Sequence, residues 1–375
     1  MGDCHVANFG FFTEDGSYGE RVIFAPNDFD DACIGHAAWD LSRYLVSLLL
    51  AADYCRGLKT GAYVDDEITE LATLQAASSE DAVAAAHAFC QAYLACCRQV
   101  SADAEFRFTT QDDFPKNHVL KPFLKKAIKR SPVGTDFSKK STLAKAVDCQ
   151  QRPLQFKNDA KKFSRLNAAQ YQEIQQAFAP YVHDEILDIV TRHGAGTGSL
   201  NMQRFYLLVG PKDLSSEQDL VLCQIVEVKQ QRRAAPLFFF ADLSPVNQLN
   251  DAHLTVDCQR LMQRRPDSVL DEVHYAGAHY LVRSLHHANV DVDPEDICLQ
   301  PANPQLALKQ YAEACGHALA LAHNRGDRRS NRFANRMLEV LAVEQHALVE
   351  CCLAYAEQQK LDCRLLAELL NSRPN

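Results

Sequence analysis

The sequence predicts an α+β protein with a largely helical lobe, a small β-rich lobe and a helical tail. Three observations predict it. Long stretches with apolar residues at helical spacing occupy residues 37–55 and 80–100 and recur from about Pro304 onward. A glycine cluster at 194–198 opens two β-rich runs, "RFYLLV" and "LVLCQIVEVK", parted by a polar turn. The chain has 375 residues, 47% hydrophobic and 23% charged, enough to bury more than one small core. The expected division is a helical lobe over residues 1–185, a β-rich lobe over 186–300, and helices over 301–375 that pack back on the first lobe.

In chain order, "RVIFAPNDFD" (residues 21–30) reads as a short strand running into an acidic loop. "AAWDLSRYLVSLLLAADYC" follows as a helix with no breaker. Helix is expected again at residues 80–100 and 170–193, with Pro180 kinking or ending the first turns of the latter. The intervening segment contains Ser131-Pro132, Gly134 and Arg152-Pro153 and reads as loop-rich. After His193 comes the glycine-led hairpin, then a further strand at "HYLVRSL" and a helix at "YAEACGHALALAH". No repeat or low-complexity tract interrupts this order.

Composition narrows the function classes. No run approaches the roughly 20 apolar residues of a membrane span, and no basic then apolar leader opens the chain. Fourteen cysteines contain no C-x-x-C, and two pairs are adjacent within helical patterns. They read as reduced, small hydrophobic residues of a cytoplasmic protein. The net charge of −9 conceals an asymmetry: residues 116–165 hold fourteen Lys/Arg against three Asp/Glu, leaving the rest at −20. With little aromatic interleaving, that basic segment reads as a solvated cap over the cleft rather than a nucleic-acid surface.

Two constellations carry chemistry. In "GDCHVANFG" and "NDFDDA", Asp3 suits a proton acceptor for an incoming hydroxyl. Asn8 and Asp28 offer the hard oxygen ligands that Mg²⁺ prefers. A two-metal phosphatase shares Gly-Asp-x-His, but it needs an upstream Asp-x-His and a later Asn-His-Asp, and neither is present. In "GTGSLN", Gly196, Gly198 and Ser199 form a candidate phosphate loop. Lys229, at the end of the second β-rich run, is positioned to reach the same phosphates. Together these make the two halves of an ATP site.

The pieces "GDCHVANFG", "NDFDDACIGHAAWDL", "GAGTGSLNMQRFYLLVG", "VEVKQQ", "VDCQRLMQ", "HYLVRSL" and "CGHALALAHNRGD", in this order, resemble a bacterial family of unassigned activity, domain of unknown function 2252. That family is grouped with protein-kinase-like folds, and the resemblance runs from Gly2 to about residue 360. The acidic part also resembles aminoglycoside and choline phosphotransferases. The resemblance implies a bilobal kinase-like fold with ATP and Mg²⁺ as ligands. It makes Asp3 the base, Asn8 and Asp28 the metal ligands, and Asp40 a buried aspartate hydrogen-bonded to the catalytic loop. Gly196 and Gly198 become the phosphate loop, with Lys229 on the α- and β-phosphates. The glycine loop and lysine follow the catalytic loop, so the motifs stand in permuted order. Asp257 or Glu227 is then the expected partner of Lys229. Family members carry a segment before "GDxHxxN", Gly where this chain has Asn201, and "KEA" where it has "KQQ". The resemblance therefore leaves a phosphotransferase, a truncated pseudokinase that acts by binding, and a nucleotidyl transferase moving AMP. The acceptor and the oligomeric state are not specified.

Overall fold

The computed structural model describes residues 1–14, 19, 21–66, 68, 71–194, 201–214 and 216–372, and the fold is stated for those. It is mixed helix and sheet, with helix in excess. The first element is a hairpin of β1 (Phe9–Glu14) and β2 (Arg21–Pro26), in register from Phe9 opposite Pro26 to Glu14 opposite Arg21. Its aromatic side chains Phe9, Phe11 and Phe24 are fully buried among Tyr44, Phe114 and Tyr311.

Helix α1 (Ala37–Thr60) and helix α2 (Ser79–Ala102) build the helical lobe, as their apolar spacing predicts. Ser78 and Asp81 exchange side-chain and backbone hydrogen bonds at the start of α2, satisfying two otherwise unpaired N–H groups. The basic segment that follows is short helices, turns and short strands, the longest element being α3 (Lys121–Arg130). None of the fourteen cysteines is joined in a disulfide and most are buried, in keeping with the reading of their spacing.

The second lobe is a six-stranded antiparallel sheet. Its strands are β3 (Phe163–Arg165), β4 (Glu185–Arg192), β5 (Arg204–Gly210), β6 (Gln224–Gln230), β7 (Asp271–Tyr275) and β8 (Ala278–Ser284). They stand in the order β7-β8-β6-β5-β4-β3. Helix α4 (Ala168–Phe178) covers one face, burying Ile174 and Phe178 against Phe205, Val226 and Val228. Helix α5 (Asp251–Met262) lies in sequence between β6 and β7. The expectation of helix through residue 193 is corrected here. The helix stops at Phe178, before Pro180, and Glu185–Arg192 is a strand. The sheet also draws in β3 and α4, which the sequence reading placed with the helical lobe.

After β8 the chain returns to the first lobe through β9 (Val290–Asp291), which pairs with β1. Helix α6 (Pro304–Gly326) then packs on α2, and α7 (Arg332–Asn371) runs along α1 and α2. At Gly316 α6 lies close against α2: a Cβ there would lie 2.3 Å from the Phe89 carbonyl oxygen. Any side chain would force the helices apart.

Where the chain leaves the sheet, His286 stacks on Phe12 with ring centroids 4.6 Å apart, and His287 meets the edge of Phe137 at 5.2 Å. Burial pushes both imidazoles down to about 4. The unfolded chain binds these protons near the ordinary value of 6.5, so protonation favours unfolding. Stability is therefore lost as pH falls from about 6.5 towards 4, by up to about 3 kcal/mol per ring. The melting temperature is expected to drop across that window, and His287→Asn to flatten the dependence. An unchanged slope in the variant would show that His287 does not titrate there.

Candidate nucleotide and metal site

Residues 2–8 form a tight loop held from below by α1 and α6. Asp40, buried near the start of α1, accepts the Gly2 N–H at 3.0 Å and lies 3.0 Å from His323 Nε2. The first residue's amino group is 2.9 Å from the same carboxylate. Burial opposes ionisation of Asp40, but that ammonium and His323 hold its carboxyl well below the usual carboxylate range. The expectation of a buried aspartate bonded to the loop is thus met. Further along the loop, the Val6 N–H donates to Ser47 Oγ at 2.8 Å and the Tyr311 hydroxyl donates to the Val6 carbonyl at 2.6 Å. Gly2 has φ +76°, and a Cβ on it would collide with the Asp31 carbonyl oxygen at 1.8 Å. The loop glycine is therefore required by the acidic turn packed against it.

Asp3 takes a left-handed φ of +34° and presents a half-exposed carboxylate, 2.8 Å from Arg43 Nε. Asn8 Nδ2 donates to the Asp3 carbonyl at 2.9 Å. The β1–β2 register sets Phe9 opposite Pro26, so the flanking residues 8 and 27 also face each other. The Asn27 N–H accordingly donates to the Asn8 carbonyl at 3.2 Å. One hairpin thereby brings Asn8 beside the turn that carries Asp28.

The sheet supplies the opposite wall. Along β6, Val226 and Val228 enter the core beneath α4, which turns Glu227 and Lys229 to the other face. Lys229 forms a direct ion pair with Asp30, two residues beyond Asp28. Gln231 Nε2 lies 3.4 Å from Asp30, and Gln231 also accepts from the Thr255 hydroxyl of α5 at 2.9 Å. Glu227 sits 3.0 Å from Arg283 on β8 and 3.4 Å from Arg204 on β5. Burial works against ionised Glu227, yet Arg283, Arg204 and Lys229 hold its carboxyl below the usual range. Asp28 is pushed up to about 6 by burial and the neighbouring charge of Asp30. Asp30 is held down, against its own burial, by Lys229 and Arg283.

The structure thus brings Asp28, through the turn it shares with Asp30, close to Lys229, with Asn8 and Asp3 on the adjoining loop. Gly196, Gly198 and Ser199 lie outside the described residues. Neither expected residue is the ion-pair partner of Lys229: Glu227 pairs with the two arginines, and Asp257 on α5 makes no ion pair with it. Asp30, Arg204, Arg283 and Gln231 were missed. The second aspartate of "NDFDD" and the arginine in "LVRSL" were the available signals. Among the described residues no three His, Cys, Asp or Glu side chains gather as a metal cage. The donors at hand are Asn8, Asp28 and Asp30. Asp28, raised by burial and by Asp30, and Asn8 offer hard oxygen donors of the kind a divalent cation takes.

The site is a loop-and-acidic-turn half set against a lysine-bearing sheet. The chain belongs to the family described as an uncharacterized protein conserved in bacteria (domain of unknown function 2252), whose family model matches residues 1–369. No curated protein and no solved structure matches the chain.

Arg283→Met leaves Glu227 buried with Arg204 alone and is expected to cost about 3 kcal/mol in urea unfolding. The double variant Arg283→Met/Glu227→Gln should lose less than the sum of the two single variants. Strict additivity would mean that the pair is not energetically coupled.

Proposed function

We propose that this protein is an ATP- and Mg²⁺-dependent phosphotransferase with a kinase-like bilobal architecture whose motifs run in permuted order. The observation that carries the reading is the Lys229–Asp30 ion pair. It joins, across 199 residues of sequence, the lysine strand to the acidic turn that holds Asp28. The sheet adds support: a lysine strand, then a helix, then a hairpin whose second strand returns beside the lysine strand, is the arrangement of a kinase small lobe.

In this reading Asn8 and Asp28 hold Mg²⁺, which neutralises charge on the transferring phosphate. Lys229 grips nucleotide phosphates as a point charge. Arg283 and Arg204 position Glu227 on the same face of the sheet, keeping the lysine strand's polar side fixed. Asp3, oriented by Arg43, accepts the proton of the attacking hydroxyl. Catalysis of this kind relies on positioning and charge rather than on a covalent intermediate.

A second reading is a nucleotide-binding protein without turnover. It is favoured by the ion pairs that already occupy Lys229 and Asp3, with Asp30 and Arg43 respectively.

A thermal-shift titration with ATP, with and without Mg²⁺, tests both. A ligand at a hundredfold excess over its Kd stabilises the native state by about 2.7 kcal/mol. A Mg²⁺-dependent shift is expected in the native chain and should vanish in Lys229→Met and Asp28→Asn. ADP release should fall at least about a hundredfold in Asp3→Asn while the shift persists. A shift with no ADP release in the native chain selects the binding reading, and no shift at millimolar ATP overturns both.

A further inference from the structure

A cavity of about 560 Å³ opens against the loop that carries Asp3, a volume suited to a small organic molecule. Its apolar wall is made by Trp39, Leu254, Leu261, Met262 and Phe333, from α1, α5 and α7. Asp3 and Arg43 stand at its edge, facing each other at 2.8 Å. Its other carboxylates differ in how they are satisfied. Asp40 is taken by Gly2 and His323, while Asp31 accepts the Ala235 N–H at 3.2 Å with Arg232 at 3.9 Å. Asp257, half-buried on α5, has no hydrogen-bond or ion-pair partner among the described residues.

A carboxylate without an ion-pair partner, in a cavity whose other carboxylates are already paired and whose wall is apolar and carries an indole, selects a cation attached to an apolar body. A neutral ligand would leave Asp257 uncompensated, and an anion would add repulsion. We propose that this cavity is the acceptor pocket, taking a hydroxyl compound with an apolar body and one protonated amine that pairs with Asp257. The proposal rests on the phosphotransferase reading. In the reaction the acceptor oxygen forms a bond to the γ-phosphorus and the bond from that phosphorus to the β–γ bridging oxygen breaks. ADP leaves with the electron pair, and the hydroxyl proton passes to the Asp3 carboxylate and on to solvent.

Trp39 is the single tryptophan of the chain, so its emission reports occupancy of the cavity without ATP or Mg²⁺. The probes are a terminal aminohexanol, hexanol, and a terminal hydroxyhexanoate. Aminohexanol is expected to change Trp39 emission saturably. It should bind about tenfold more weakly to Asp257→Asn, and hexanol should bind the native chain with a similar deficit, as loss of one ion pair implies. With MgATP present, aminohexanol should raise ADP release in the native chain and not in Asp257→Asn. No saturable response, equal binding of hydroxyhexanoate, or an Asp257→Asn variant that binds like the native chain would each overturn the pocket. Binding with unchanged ADP release, in a chain that does release ADP, would overturn its role as acceptor site. Because the emission readout needs no nucleotide, a saturating response alongside a failed MgATP shift would instead count against the phosphotransferase reading.

Discussion

Six ionised side chains meet where the sheet faces the helical lobe, and the fold tolerates them because acid and base are matched. Asp28, Asp30 and Glu227 stand against Arg204, Lys229 and Arg283. Each ion costs several kcal/mol to remove from water, and only a close partner offsets that cost. The matching also fixes geometry. Lys229 belongs to the sheet and Asp30 to the acidic turn, so their pair ties one lobe to the other. The strand that carries Lys229 can do this because its side chains alternate: Val226 and Val228 anchor it in the sheet's core, while Glu227 and Lys229 face the cleft.

A second buried acid governs the other half of the site. Asp40 lies apart from the Lys229–Asp30 pair, yet it accepts from the Gly2 N–H and the first residue's ammonium and is itself held by His323 of α6. The shape of residues 2–8 is thus dictated by helices that come later in the chain. The acidic turn closes on that loop from the other side, with the Asp31 carbonyl where a Gly2 Cβ would be. Loop and turn are one packed unit, so the positions of Asp3, Asn8 and Asp28 are set together.

Much of this was legible in the sequence for local reasons. The apolar spacing of residues 37–55 and 80–100 encodes α1 and α2, and "GDCHVANFG" reveals the loop because its chemistry-bearing residues lie within one short turn. The β1–β2 pairing that sets Asn8 beside the acidic turn was not read from the sequence, where residues 21–30 showed only a lone strand. What was not legible depends on distant pairing. Nothing near Lys229 in sequence indicates Asp30, and Glu227 looked an equally good partner until β5 and β8 brought two arginines to it. The misread strand has a specific cause. A register shift between Ile186 and Asp188 breaks the alternation of "EILDIVTR", and Asp188 turns inward to Arg165 and the Phe156 N–H. An acid amid apolar residues at that spacing imitates the polar stripe of a helix.

The same matched network sets a condition on the proposed activity. Any phosphate that reaches Lys229 must displace Asp30 from it. The released carboxylate would then sit beside Asp28, whose ionisation is already opposed by burial and by that neighbour. Arg283 cannot absorb the excess alone, since it is also committed to Glu227. A new positive charge has to arrive with the phosphate if the cleft is to stay neutral. On the phosphotransferase reading this makes nucleotide and divalent ion cooperative by electrostatics alone, without any movement of the lobes. It also gives the Lys229–Asp30 pair a purpose in the free protein: it holds the two carboxylates and the lysine at the right spacing until both ligands replace it.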